Sequence, residues 1–422
     1  METPIIYNIF PRLAGNCQEW KDWASKARDM GFNWIYLNPF SKVGLSGSLY
    51  AVKDYFSVDD SFRTETVGSS TCFPELQDVL QEIHQMGLNV MFDLVINHTS
   101  IDSVLVEKHP EWYKKDEKGK FLHPSAIDPA DARKVTTWGD LYEIDNEESP
   151  DLEGLYNYWE GLVDTYVNIG AGGFRCDAAY KVPGVLWKRL MERAEKVAGR
   201  KIPFFAETLG CTIEEVSALK DAGFSYLYNS GKYWNFDAPW AIEQHRMFGE
   251  IAPSVGFPES HDTSRLAKDV NDNLDVIKQR YLFGISWSEA FQITMGFEYG
   301  YHVKPDVVKM TRNDQESPRY DLTSFICNAN RFKLSIPVLC EEGSFDNVTR
   351  FEAPTLVLEK KSNMGNDSIY IIINKDWENS QWTELPMEME LCRLHNADQV
   401  VFEASPRWIE LSPAEVVFGR KI

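Results

Sequence analysis

The sequence predicts an α/β fold: a closed (β/α)8 TIM barrel, with a small inserted domain after its third strand and a C-terminal antiparallel β-sandwich. Three observations predict it. Eight short apolar runs alternate with amphipathic helical stretches through the first 340 residues. That alternation breaks once, between the third and fourth runs, at a stretch rich in charge and proline. From about residue 345 it stops, and β-type runs take over.

The eight runs are PIIYNIF (4–10), NWIYLNP (33–39), NVMFDLV (89–95), GGFRCD (172–177), PFFAE (203–207), FSYLYN (224–229), SVGFPE (254–259) and FQITMG (291–296). Continuous apolarity over so few residues fits strands buried on both faces, as in a parallel sheet. The stretch CQEWKDWASKARDMG places Trp20, Trp23, Ala24, Ala27 and Met30 at helical spacing and stops at Gly31, a favourable helix end. FPELQDVLQEIHQMG repeats the pattern with Leu76, Val79, Leu80 and Ile83, and EGLYNYWEGLVDTYVNIG and VLWKRLMERAEKVAG follow it. Eight strands with helices between them close into one barrel more readily than they extend into an open sheet. The catalytic barrel is therefore expected at 1–98 and 151–340 and an inserted domain at 99–150, where KHPEWYKKDEKGKFLHP has aromatics that need burial. The β-sandwich is expected at 341–422, from APTLVLEK, SIYIIIN, QVVFEA and WIELSPAEVVF.

Composition narrows the function classes. Of the 422 residues, 43% are hydrophobic and 25% charged, as in an ordinary soluble globular protein, and the formal net charge is −21. An acidic chain lacks the basic face that nucleic acid demands and is equally unsuited to anionic membranes. The opening METPIIYNIFPRLAG carries no basic leader, and no stretch approaches ~20 uninterrupted apolar residues. The 7 cysteines (17, 72, 176, 211, 327, 340, 392) are odd in number and form no C-x-x-C pair, which reads as thiols in a reducing compartment. The cytoplasm is the expected location. Thirteen tryptophans are mostly core, although indole faces also suit stacking on sugar rings.

Ionisable residues end four of the runs: Asp93 and His98 after the third, Asp177 after the fourth, Glu207 after the fifth, and His261 with Asp262 after the seventh. The active sites of (β/α)8 enzymes are built at that end of the barrel, from several strands. A carboxylate closing an apolar strand is otherwise unexpected, because burying it unpaired is costly. Three carboxylates and two imidazoles converging on one face suit glycoside chemistry, which needs one ionised and one protonated carboxyl. Arg175, two residues before Asp177, shares its strand face and can keep that carboxylate ionised.

In this order, DLVINH, GFRCDAA, FFAET and FPESHD resemble the four short sequence regions of the α-amylase family. SLYAVKDYFSVDDSF resembles that family's segment after strand two, and DLYEIDN its motif near the end of the inserted domain. The resemblance spans roughly residues 1–340 and implies a retaining glycosidase acting on α-1,4-glucans or maltooligosaccharides. It implies Asp177 as nucleophile, Glu207 as general acid/base and Asp262 as the third carboxylate, holding sugar hydroxyls. Arg175, His98 and His261 would line the same sugar site, Tyr50 would be its stacking aromatic, and Asp93 and Asn97 would shape it. HPEWYKKDEKGKF and GFRCDAAYKVP are also similar to bacterial maltosyltransferases, so transglycosylation stands as the alternative. A non-catalytic carbohydrate-binding relative fits less well, since all three carboxylates are present.

The sequence departs from the family at Ser48 and Leu49, where His-Gly often precedes the matching tyrosine. DAAYKVP makes Lys181 a candidate substrate contact. Asn97 matches one ligand of the family's calcium site, but 99–150 offers no clear acidic ligand set, so no cofactor or metal is expected. Trp234, Trp240, Glu298 and Tyr299 follow strands six and eight, where either packing or sugar contact is open to them. Cys176 is expected to face the helices.

Overall fold

The computed structural model describes residues 2–64, 73–128, 131–395 and 400–422. Cys72 lies outside the described residues, as does Gln399, the first residue of the QVVFEA run. The eight runs form eight parallel strands: β1 (Ile5–Ile9), β2 (Trp34–Leu37), β3 (Asn89–Leu94), β4 (Gly173–Cys176), β5 (Phe204–Ala206), β6 (Tyr226–Tyr228), β7 (Ser254–Gly256) and β8 (Ala290–Thr294). They run in sequential order around a closed barrel, with Ile5 of β1 paired to Phe291 of β8. Side chains alternate by parity. Ile6, Trp34, Tyr36, Met91, Phe205, Tyr226, Tyr228 and Val255 fill the interior as one cluster. Strand residues of the other parity, such as Ile35, Phe92, Phe174 and Cys176, join the outer cluster beneath the helices, so Cys176 faces away from the interior.

The outer shell includes α1 (Cys17–Asp29), α2 (Phe73–Gln85), α3 (Leu152–Ile169), α4 (Gly184–Ala198), α5 (Ile213–Ser217), α6 (Trp240–Gly249), α7 (Leu274–Trp287) and α8 (Thr323–Ser335). A capping box at Asn16 and Glu19 starts α1, and its apolar stripe (Trp20, Trp23, Ala24, Ala27) is buried. Gly170 ends α3 in the left-handed conformation, which costs glycine nothing. Among the described residues no helix is long and apolar enough to cross a membrane.

Between β3 and α3 the chain leaves the barrel. Strand His98–Ser100 pairs with Leu141–Glu143, and a second hairpin pairs Ser125–Asp128 with Asp131–Thr137. Asn146 ties this excursion back: its side-chain Nδ2 donates to the Ile96 carbonyl, and its Oδ1 accepts from the Trp159 indole of α3.

After residue 340 come β9 (Ser344–Asn347), β10 (Thr355–Lys361), β11 (Ser368–Asn374), β12 (Gln381–Glu384), β13 (Met389–Arg393), β14 (Glu403–Ser405), β15 (Trp408–Leu411) and β16 (Val416–Lys421). Six form one sheet in the order β9-β10-β11-β16-β13-β14, and β12 with β15 forms a second, two-stranded sheet. The QVVFEA run forms a strand only at its end: Val400 and Val401 are exposed, and pairing begins at Glu403. Lys360 and Gln279 join the larger sheet to α7 through backbone carbonyls.

Candidate active site

Strand parity assembles the site. Met91, Arg175 and Phe205 point into the barrel, and a step of two along each strand brings Asp93, Asp177 and Glu207 to the same side at the carboxyl ends of β3, β4 and β5. Arg175 sits directly beside Asp93 in the β3–β4 register.

Arg175 organises this cluster. Its Nη1 donates to both oxygens of Asp93, at 2.9 and 3.1 Å, and to Oδ1 of Asp177 at 2.7 Å. Its Nη2 lies 2.7 Å from Oε1 of Glu207. One buried cation therefore serves three carboxylates: it hydrogen-bonds Asp93 and Asp177 and also lies in ion-pair range of Glu207. Asp93 also accepts from the hydroxyls of Tyr36 (2.6 Å) and Tyr50 (2.7 Å), so both of its oxygens are committed. Its side chain is wholly buried, whereas those of Asp177 and Glu207 keep 12% and 20% of their surface exposed. Asp93 supports, and the other two face the opening.

Burial pushes the carboxyls of Asp177 and Glu207 above their ordinary ranges, while the Arg175 guanidinium pulls both back. Each carboxylate raises its neighbour's affinity for a proton, so the pair can retain one that an isolated carboxyl would lose. Glu207 is held by a second donor, the N–H of Ala178 at 2.8 Å. Ala178 adopts a left-handed backbone, φ 40° and ψ 51°, which costs a residue with a Cβ about 1 kcal/mol or more. That conformation aims its N–H back at Glu207.

Asp262 and His261 occupy the loop after β7, where Ser260 donates its N–H to the Thr263 hydroxyl at 2.9 Å. Asp262 Oδ2 lies 2.9 Å from His261 Nε2, with 47% of the aspartate side chain exposed at the mouth. Burial beside the cluster opposes its charge, but the imidazole, with Arg175 and Lys304 beyond, holds the carboxyl below the usual range. The His261 ring stacks on Tyr50 at 5.8 Å, and its Nε2 lies 2.7 Å from the Tyr50 hydroxyl. His98 reaches the Tyr50 carbonyl at 3.2 Å through Nε2, and burial pushes its pKa down to about 4, so it is neutral near pH 7. Nδ1 of His98, Nδ1 of His261 and Oδ1 of Asn97 are buried without a protein partner.

Tyr50 thus meets Asp93, His261 and Arg175, whose guanidinium lies 6.0 Å from its ring centroid. Lys181 is exposed, its ammonium 5.2 Å from the Tyr180 ring, and is not gathered into the cluster. Trp234 is fully buried against Phe236, Phe283 and Trp287, so packing is its role. Glu298 is likewise buried, accepting from Tyr7 at 2.6 Å, which removes it from sugar contact. Tyr36 and Asn38 also belong to the site. Asn38 donates to the hydroxyls of both Tyr36 and Tyr50. The only available signal was their parity at the end of β2.

Among the described residues, one group of acids and histidine converges closely enough to consider for a cation: His109, Glu111 and Asp151. Asp151 already accepts from the Trp112 indole and caps α3 through the Gly154 N–H, so the group fits a structural junction better than a cation cage. Asn97 Oδ1 is not part of it.

A family model described as "Glycogen debranching enzyme, glucanotransferase domain" matches residues 2–128. An alpha-1,4-glucan:maltose-1-phosphate maltosyltransferase of Burkholderia pseudomallei is 26% identical over 84% of this chain and 31% of its own length. Alpha-amylase MalA of Haloarcula japonica is 22% identical over 88% of this chain and 55% of its own. The chain thus spans about a third of the length of the first of these relatives. The crystal structure of an alpha-amylase from Lactobacillus plantarum superposes with a TM-score of 0.77 at 18% identity, covering 100% of this chain and 99% of that one. The likeness to alpha-amylases is therefore present in both sequence and fold, and the likeness to the maltosyltransferases is present in sequence.

Proposed function

We propose that this chain is a retaining enzyme of α-1,4-glucosidic bonds, acting on glucans or maltooligosaccharides, with hydrolysis as its principal outcome. The observation that carries this reading is the arrangement around Arg175, where two partly open carboxylates on adjacent strands are gripped by one guanidinium. Such a span suits the ~5–5.5 Å carboxyl separation of double displacement, not the wider gap that admits a water.

In this reading Asp177 attacks the anomeric carbon while Glu207, carrying a proton, donates it to the departing glycosidic oxygen. The bond to the leaving sugar breaks as the Asp177 ester forms. Glu207, now ionised, takes a proton from the incoming hydroxyl, and the second attack releases Asp177. Asp262, at the mouth and ionised, accepts from hydroxyls of the bound sugar, an interaction that strengthens as positive charge develops on the ring. The unpartnered nitrogens of His98 and His261 suit the same hydroxyls. Tyr50 offers its ring beside them, and Lys181, exposed outside the cluster, is a candidate contact on the acceptor side. No step here draws on a cofactor. The absence of any disulfide among the described cysteines favours a reducing, cytoplasmic setting.

Transfer to a sugar acceptor is the second reading, favoured by the maltosyltransferase likeness across 84% of the chain. Both readings share the ester on Asp177 and differ in what resolves it. Proton NMR of the first product, recorded before mutarotation, is expected to show the α anomer; a β product means single displacement and overturns the mechanism. Incubation with maltooligosaccharides, with and without phosphate, separates the two outcomes. Glucose and maltose alone indicate hydrolysis, and longer chains or maltose 1-phosphate indicate transfer.

A further inference from the structure

In the C-terminal region, the two-stranded sheet β12–β15 has two dissimilar faces. Thr383, Ile409 and Leu411 turn inward, and Ile409 and Leu411 pack with Leu385 against Val357 and Ile372 of the larger sheet. The alternate residues turn outward: Trp382, Glu384, Trp408 and Glu410. Trp382 is 59% exposed and Trp408 55%. Large indoles at the surface are uncommon, because burying one is strongly favourable.

The register makes the face a checkerboard. Trp382 lies opposite Glu410, and Glu384 lies opposite Trp408. The two indoles therefore stand on a diagonal, about 7–8 Å apart at the backbone. A packed sheet behind them fixes that spacing. We propose that this face is a second binding platform, separate from the reacting groups, for a stretch of α-glucan chain. The proposal rests on the reading of the chain as an α-glucan enzyme.

The chemistry favours a neutral, polyhydroxylated ligand. Sugar rings offer C–H faces to indoles and hydroxyl donors to carboxylates, and each indole here has a carboxylate across from it. No aliphatic side chain shares the outward face, so it does not resemble a core-like protein interface. Glu384 is already paired with Arg407 at 3.0 Å, which leaves an acceptor oriented for hydroxyls and weakens the face as a site for a basic peptide. An acidic chain of net charge −21 disfavours anionic ligands. Two rings at this spacing can engage two sugar units of one chain, and the second contact then forms at high effective concentration.

Native electrophoresis of the full chain in gels containing soluble amylopectin tests the platform. The protein is expected to be retarded, and Trp382→Ala with Trp408→Ala is expected to weaken the apparent affinity about tenfold. Turnover of p-nitrophenyl α-maltoside, too short to reach both places, should stay within about twofold, as should its KM. Trp382→Phe with Trp408→Phe, which keeps two aromatic faces, should restore part of the retardation and guards against a folding defect. Retardation unchanged in the alanine variant overturns the proposal. So does a chain that binds a lysine-rich peptide but not amylopectin. If the chain turns over maltooligosaccharides while its retardation ignores these tryptophans, the platform fails and the proposed function stands. If it turns over no α-glucoside yet is retarded through them, the proposed function fails and the platform stands.

Discussion

Two buried arginines stand near the carboxyl ends of the barrel strands, and their surroundings differ in one respect. Arg265, fully buried after β7, pairs with Glu259 at 2.6 Å and spends its other donors on the carbonyls of Val303 and Met295. Glu259 in turn accepts the Leu266 N–H at 2.7 Å. One positive and one negative charge are matched, and no space is left. Arg175 meets three carboxylates, two of which reach the opening. A fold that needs only stability matches its buried charges, because unmatched ones are costly. An excess of negative charge held on one cation is the arrangement that the proposed chemistry requires.

That contrast can be broken in a definite order. Glu207→Gln should lower turnover of an unactivated glucan about 10²–10⁴-fold. It should leave thermal stability unchanged or slightly raised, because it relieves crowding around Arg175. Calorimetry beside kinetics decides this: a large loss of stability would make the cluster structural. Glu259→Gln should do the reverse, costing about 3 kcal/mol or more of stability by stranding Arg265, with kcat per folded molecule retained. Loss of kcat without loss of stability would erase the distinction between the two arginines.

The smallest effect concerns a third solution to a buried carboxyl. Glu298 has no arginine of its own, and burial pushes its pKa up to about 7 from 4.5. Below pH 4.5 folded and unfolded chains both hold the proton. Between 4.5 and about 7 the unfolded chain releases it while the folded one keeps it, so stability falls as pH rises through that window. Glu298→Gln, which can still accept from Tyr7, should flatten the decline in a pH series of denaturant melts. An unaltered slope would mean that Glu298 is ionised in the fold.

The barrel was legible because its strands are buried on both faces and so read as unbroken apolar runs. The acids at their ends stood out against that background: Asp93, Asp177 and Glu207 each follow an apolar stretch, and strand parity alone predicts a common direction. What the sequence could not convey was partnership. Arg175 divides itself among residues 93, 177 and 207, and no local pattern says how. Glu298 and Trp234 lie in loops whose sequence permits either exposure or burial, and packing from α7 and β1 decides for burial. QVVFEA has strand composition, yet among the described residues only its end, from Glu403, pairs in the sheet, while Val400 and Val401 are exposed. Composition proposes the strand, but the sheet edge sets where it begins.

The pairing of Ile5 with Phe291 also governs how the molecule comes into being. On a ribosome adding ~5–20 residues per second, the first strand waits roughly 15–60 s for the eighth. For most of that interval β1 has β2 on one side and nothing on the other, and an unpaired apolar edge invites association with other chains. The strands bearing Asp93, Arg175, Asp177 and Glu207 are consecutive in the barrel and complete much earlier. A chain stalled before residue 290 would thus hold every group proposed for the chemistry, yet lack the last stave that closes the wall around them.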